Sequence, residues 1–298
     1  LVLATIWLLD GILQLQAFFF TRSFASQMIA PIARGNPSVI ARPITWSGLT
    51  IGHHAVIINL SFALFQVGLG LGIACRPTVK VALGASIAWS IGVWWIGEGL
   101  GGVVSGTADP VNGAPGAVII YGLLAVLLWP RDRPGPTPSF IAARAVGEPV
   151  AKALWLVLWG SLSYFAVSGA NRSSQGLHDL IDGMTAGEPG WLTSLNRHAA
   201  MLVDHRGLAT MTVLAMVSAI VAVGVYLPPG AANATLVVAA VISLLWWVVG
   251  EDFGQLLTNG ATDVNTGPLL ILMALAYWRH GSAPPVGGTG RADAPGRA

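Results

Sequence analysis

Cysteine is nearly absent: Cys75 stands alone among 298 residues. A lone cysteine excludes an internal disulfide and any cysteine-based zinc or iron–sulfur site. Charge is scarce too, at 9% of residues, where soluble domains carry about a quarter. Basic residues are scattered and the formal net charge is only +2, which leaves no footprint for nucleic acid. There is no Walker loop and no G-x-S-x-G. The GLGLG at 68–72 lies inside an apolar run, without a preceding strand or an acidic partner. SGTAD and NGATD offer no nucleophile–base pair within reach, so no catalytic set is expected.

Apolar sequence is abundant. Hydrophobic residues make up 54% of the chain, with mean hydropathy +0.69, and several runs approach the roughly 20 residues that cross about 30 Å of hydrocarbon. Spans are expected at 1–20, 55–74, 81 through Glu98 towards 104, 115–129, 153–170, 207–227, 235–253 and 266–278. The first run has no basic flank or small-residue cleavage site, so it reads as a span rather than a cleaved signal. Residues 21–54 form a mixed segment with a short interfacial helix, 171–206 a loop, and 281–298 a disordered Gly/Pro/Ala-rich tail.

One stretch recurs. WWIGEGLGGVVSGTADPVNGAP begins at Trp94 and WVVGEDFGQLLTNGATDVNTGP at Trp247, a spacing of 153 (247 − 94). Trp94, Gly97, Glu98, Gly101, Ala108, Val111, Asn112 and Pro115 fall on Trp247, Gly250, Glu251, Gly254, Ala261, Val264, Asn265 and Pro268. The expected fold is therefore all-α: a polytopic membrane protein of about eight transmembrane helices. They form two parallel four-helix repeats, a first module at 1–130 and a second at 153–280, joined by a cytoplasmic linker at 131–152. The 76–80 turn is basic, whereas 98–114 and 251–266 hold no Lys or Arg. That bias places both termini in the cytoplasm of a multi-pass cell-membrane protein, with both acidic segments outside.

LLDGILQLQ is followed by an amphipathic segment, then FQVGLGLGI before a basic turn, then two spans closing on LLWPRDRP. This order resembles the DoxX-like family of four-helix membrane proteins, here duplicated. The resemblance implies a small integral membrane module, and some members of that family are linked to quinone or thiol redox chemistry. The paired cysteines that thiol chemistry needs are missing here.

The candidate binding residues are polar groups in apolar surroundings. Asp10 sits mid-span with Gln14 four residues on, hence on one helical face, and the small residues Gly11, Gly84, Ser86 and Ser90 offer close helix approach. Glu98 and Glu251, the latter followed by Asp252, lie near the outer end of their spans. An ionisable group at such depth suggests function. The alternative is a pair of headgroup-reaching carboxylates anchored by Trp94-Trp95 and Trp246-Trp247. His53 and His205 stand at matching span ends, as interfacial caps or as a bis-histidine haem or copper pair. Asn112 and Asn265 suit turns that satisfy their own backbone, or segments that dip inward to line a cavity. Two functions follow: a small-solute or cation/proton-linked transporter using these carboxylates, or a non-catalytic, redox-accessory subunit that binds a quinone head or a membrane-protein partner. No resident cofactor is required by either, quinone and haem being the alternatives; beyond a membrane partner, the lipid bilayer is the expected surrounding.

Overall fold

The computed structural model describes residues 1–131, 138–185 and 187–279, and all regular structure among them is helical. The centre of the expected linker and the expected disordered tail at 281–298 lie outside the described residues.

Helix α1, Val2–Leu13, stops well short of the expected span over 1–20. Gln14 ties its side chain and carbonyl to Asn59, and Gln16 turns extended (φ −64, ψ 142) before a 3₁₀ turn at Ala17–Phe20. Short turns over 22–32 lead to α2, Ser38–His53, a longer helix than the short interfacial one expected. Its buried residues Ile44, Ser47, Gly48 and Ile51 recur at helical spacing. That stripe packs on Phe19, Phe24, Ala25 and Ile29 as a satellite core.

Next come α3, Ala55–Ala74; α4, Val79–Ile96; and α5, Ala117–Leu127. The second half holds α6, Glu148–Ala166, followed by α7, Gly176–Gly183, and α8, Gly190–Val203, where 171–206 reads as a loop. Those two helices bury narrow stripes, Leu177 with Ile181 and Leu192 with Asn196 and Ala200, inside a polar background that hides the helical period. Helix α9 is Gly207–Gly224; α10, Pro229–Leu245, continues through a π turn at Trp246–Gly250; α11 is Thr266–Ala276.

Helix α1 packs on α3, α3 on α4 and α4 on α5. Likewise α6 packs on α9, α9 on α10 and α10 on α11, while α5 and α11 meet between the halves. Gly11 and Gly70 set the first of these contacts. A Cβ on Gly11 would lie 2.6 Å from Val67, and one on Gly70 would lie 2.8 Å from the Ala4 carbonyl. Gly11 thus opens α1 to α3, whereas the sequence pointed it at the small residues of α4. One core joins both halves, with Trp7, Tyr121 and Leu124 packed in the same cluster as Trp155, Trp159 and Leu236.

Four helices, Ala55–Ala74, Val79–Ile96, Gly207–Gly224 and Pro229–Gly250, are long and apolar enough to cross a membrane. Only 22% to 33% of each is buried inside the protein, so most of their apolar surface faces outward. Val56, Ile57, Leu60 and Leu64 on α3 and Val237, Val241 and Leu244 on α10 stand exposed. Water does not tolerate so large an apolar surface, and lipid does. Helices α1, α5 and α11 have 12, 11 and 11 residues; at 1.5 Å per residue they reach only about 16–18 Å.

Candidate functional site

Helix α4 ends at Ile96, so Glu98 stands just beyond the helix rather than inside a span running to 104. Four left-handed residues follow it: Gly99, Leu100, Gly101 and Gly102, with φ between 56 and 72. After Glu251 the same course recurs through Asp252, Phe253, Gly254 and Gln255, with φ between 50 and 66. Left-handed backbone is strained at the non-glycine residues among them. Each run folds the chain sharply back, so the carboxylate reaches the first turn of the next short helix. Glu98 Oε1 accepts from Val118 N–H of α5 at 3.0 Å, and Glu251 Oε2 from Gly267 N–H of α11 at 3.0 Å. Both acids therefore sit at a helix N-terminus, where amide hydrogens and the helix dipole favour a carboxylate.

Three of the four paired tryptophans are used inside the protein rather than as headgroup anchors. Trp94 donates to the Pro115 carbonyl (2.7 Å) and Trp247 to the Val264 carbonyl (3.0 Å). Trp246 is buried against Trp159, and only Trp95 is exposed.

The loops cross between halves. Thr266 Oγ1 donates to the Gly113 carbonyl (2.8 Å), placing the first half's loop against Glu251. Gln16 donates to the Ala261 carbonyl (3.0 Å), and Thr262 and Asp263 reach the first half. There they close one end of a cavity of about 710 Å³ between α1, α2, α3 and α4.

The cavity's wall is mostly aliphatic and aromatic, with Trp7, Phe24, Trp46, Phe62, Phe65 and Trp89 among its rings. Trp46, Phe65 and Ala88 are exposed, so it opens sideways at the flank of these helices. Its polar lining includes Asp10, Gln14, Gln66, Glu98, Tyr121 and Asp263, and among the described residues no Lys, Arg or His lines it. Asp10 is 1% exposed; Tyr121 Oη donates to its Oδ2 at 2.6 Å, and its Oδ1 has no hydrogen bond. Glu98 Oε2 and Gln66 Oε1 are likewise buried and unpartnered. Asp263 acts electrostatically on both Asp10 and Glu98, while Thr262 and the Asn265 amide hold its own oxygens.

The structure thus brings Asp10, Gln14 and Glu98 to one cavity and leaves the other candidates elsewhere. Gln14 is tied to Asn59 rather than to Asp10. Glu251 is buried at the seam between halves, its Oε1 unpartnered. Asp252 is buried and meets Glu188, which in turn accepts from Asn196 Nδ2. His53 and His205 are both exposed, and no cluster of three or more metal-ligating side chains occurs among the described residues. Asn265 caps α11 by accepting from Thr266 N–H at 2.8 Å, whereas Asn112 is exposed and Gly116 caps α5.

Sequence reasoning missed Tyr121, Asn59, Gln66 and Asp263. Asn59 and Gln66 carry the same anomaly as Asp10, a polar side chain in an apolar run. Tyr121 looks like an interfacial aromatic, and Asp263 sits in an unremarkable polar loop until the fold brings it across.

In sequence, Trp159 lies 149 residues after Asp10 (159 − 10) and Trp246 lies 153 after Val93 (246 − 93). Val93 lines the cavity with Asp10, whereas Trp159 and Trp246 stack at 6.0 Å.

Comparisons of the chain with protein-family models, with curated proteins and with solved structures give no match.

Proposed function

We propose that the chain is a multi-pass membrane protein of two four-helix modules, whose first module holds a small amphipathic solute and carries it in linkage with a proton or cation. The helix-packing order shared by the halves and the twin left-handed turns support the two modules. The basic 76–80 turn supports placing both termini in the cytoplasm of a cell-membrane protein.

One observation carries the functional reading: three carboxyls, Asp10, Glu98 and Asp263, line a single largely apolar cavity without a basic side chain. Like charges gathered in an apolar enclosure cost free energy until a proton, a cation or a ligand compensates them. Exchanging one compensator for another is the elementary step of linked transport. The volume suits a small organic molecule, and the sideways opening gives it a route from the lipid.

The second reading, a redox-accessory DoxX-like subunit that binds a quinone head or a partner without moving anything, is favoured by the aromatic wall. An uptake assay separates the two. Proteoliposomes are offered a panel of cationic, neutral and anionic amphiphiles, with and without a pH gradient, and contents are read by mass spectrometry. Transport predicts gradient-dependent accumulation of at least one compound, reduced in Glu98→Gln and abolished in Gly92→Phe. Gly92 lines the cavity, and a Cβ there meets nothing within 4 Å, so the phenyl ring enters empty space. Binding without accumulation supports the accessory reading. Neither binding nor accumulation defeats both.

A further inference from the structure

Of the buried, unpartnered polar atoms on residues that line the cavity, one is a donor, Trp7 Nε1, and the other three are of the opposite kind. Asp10 Oδ1, Glu98 Oε2 and Gln66 Oε1 are all acceptors. Tyr121 Oη is committed to Asp10 and the Gln14 amide to Asn59, which leaves the Trp7 indole as the one buried donor without a partner. A ligand head that satisfies the three orphaned acceptors must therefore bring hydrogens to donate. Quinone carbonyls bring none, and a carboxylate or phosphate head would add negative charge beside Asp10, Glu98 and Asp263.

The wall sharpens the choice. Trp7, Trp89, Phe62, Phe65 and Tyr121 line the same volume. Aromatic faces attract cations, with Trp the best of them. Carboxyl acceptors at the closed end and aromatic rings along the wall fit an organic ammonium carrying an apolar body. Asp10, 1% exposed with an empty oxygen, is the strongest single pointer.

We propose that the solute of this cavity is a lipophilic amine, its ammonium donating to Asp10 and Glu98 and its apolar body lying against Trp89, Phe62 and Phe65. This rests on the reading of the cavity as a solute site and names the class of solute. The ammonium satisfies the orphaned oxygens and supplies the missing positive charge in one group.

The test uses a matched series with one apolar tail, 4-phenylbutylamine, 4-phenylbutanol and 4-phenylbutanoate, together with decylubiquinone. Binding to the full chain in nanodiscs is measured by equilibrium dialysis, with lipid-only discs subtracted. The amine should bind saturably, the alcohol at least about tenfold more weakly and the carboxylate not at all. Asp10→Asn and Glu98→Gln should each weaken the amine by about tenfold or more. If Asp10→Asn does not fold, Glu98→Gln decides, since its amide oxygen still accepts from Val118. Alcohol or decylubiquinone binding as tightly as the amine, or amine binding indifferent to the folded variants, overturns the amine proposal while leaving a solute site in place. No compound bound in a manner sensitive to Gly92→Phe removes the solute site itself.

Discussion

Tyr121 donates its phenolic hydrogen to Asp10 Oδ2 at 2.6 Å, across 111 residues of chain, and both side chains are 1% exposed. The bond ties α5 to α1 at the closed end of the cavity. The Trp7 ring packs against Tyr121 at a centroid distance of 4.5 Å. Asp10 keeps one oxygen unpartnered because the fold spends Tyr121 on the other. A site that binds through Asp10 is thus set up by a residue that orients the carboxyl.

Tyr121→Phe removes that donor and leaves the ring packing nearly unchanged. A buried acceptor that loses its partner costs about 1–3 kcal/mol. A loss of that size is expected in reversible unfolding in detergent. In Tyr121→Phe/Asp10→Leu, where both polar partners are gone, the Tyr121 substitution should cost markedly less than it does alone. Equal costs in the two backgrounds would show that the bond contributes nothing.

How much of this was legible in the chain follows from what each residue stands beside. Asp10, Gln14 and Glu98 were visible because an apolar run makes a polar residue anomalous, and all three line the cavity. The acids at 98 and 251 were visible as a recurrence, but their role as helix-end acceptors depends on a left-handed turn in which Leu100 and Phe253 adopt conformations their side chains disfavour. Asp263 could not be found: its approach to Asp10 is made by a loop crossing from the other half, and no local pattern encodes that. Helices α7 and α8 were missed for a different reason. Their apolar stripes are two or three residues wide and sit among polar neighbours, so composition read as loop.

Gly70→Val tests the close approach of α1 and α3. A Cβ at residue 70 would sit 2.6 Å from Leu8 Cγ and 2.8 Å from the Ala4 carbonyl, and the second atom is backbone that cannot rotate away. Overpacking of this kind costs about 1–3 kcal/mol. Gly68→Val, two residues away and so on the opposite face of the same helix, with nothing within 4 Å, should be close to neutral. Thermal melts of the two variants in one detergent check the contrast. Equal melting temperatures would refute close packing at Gly70.

Glu148 gives a pH-dependent prediction outside the spans. Its hydrogen bond from Lys152, at 2.8 Å, holds its carboxyl below the usual carboxylate range, helped by Ser139 and by Arg279 at 3.9 Å. A depressed acid stabilises the fold above its unfolded pKa, about 4.3, and loses that contribution as pH falls through the folded value. The pair is partly exposed, so its contribution is below about 1 kcal/mol. Glu148→Gln should therefore lower stability slightly at pH 7 and converge on the wild type below about pH 4. Melting curves across that window, in low salt, show whether the gap closes.

Gly116 and Glu98 make the sharpest prediction, because two independent constraints meet there. Gly116 caps α5 with φ +113, a region side chains avoid, and a Cβ would lie 2.0 Å from Glu98 Oε2. Gly116→Ala should cost about 1–3 kcal/mol for backbone strain, and more for driving Glu98 off the Val118 amide. Glu98→Ala alone removes one helix-end acceptor, worth about 1 kcal/mol by analogy with an N-cap. If the carboxyl and the glycine are coupled as the geometry requires, the double variant is less damaged than the two single losses added together. The coupling energy should fall in the range of about 0.5–3 kcal/mol found for residues in contact. The strain part of the Gly116 cost remains in the double variant, since removing Glu98 clears space but does not change φ. Strict additivity would mean that Glu98 does not occupy the notch left by Gly116.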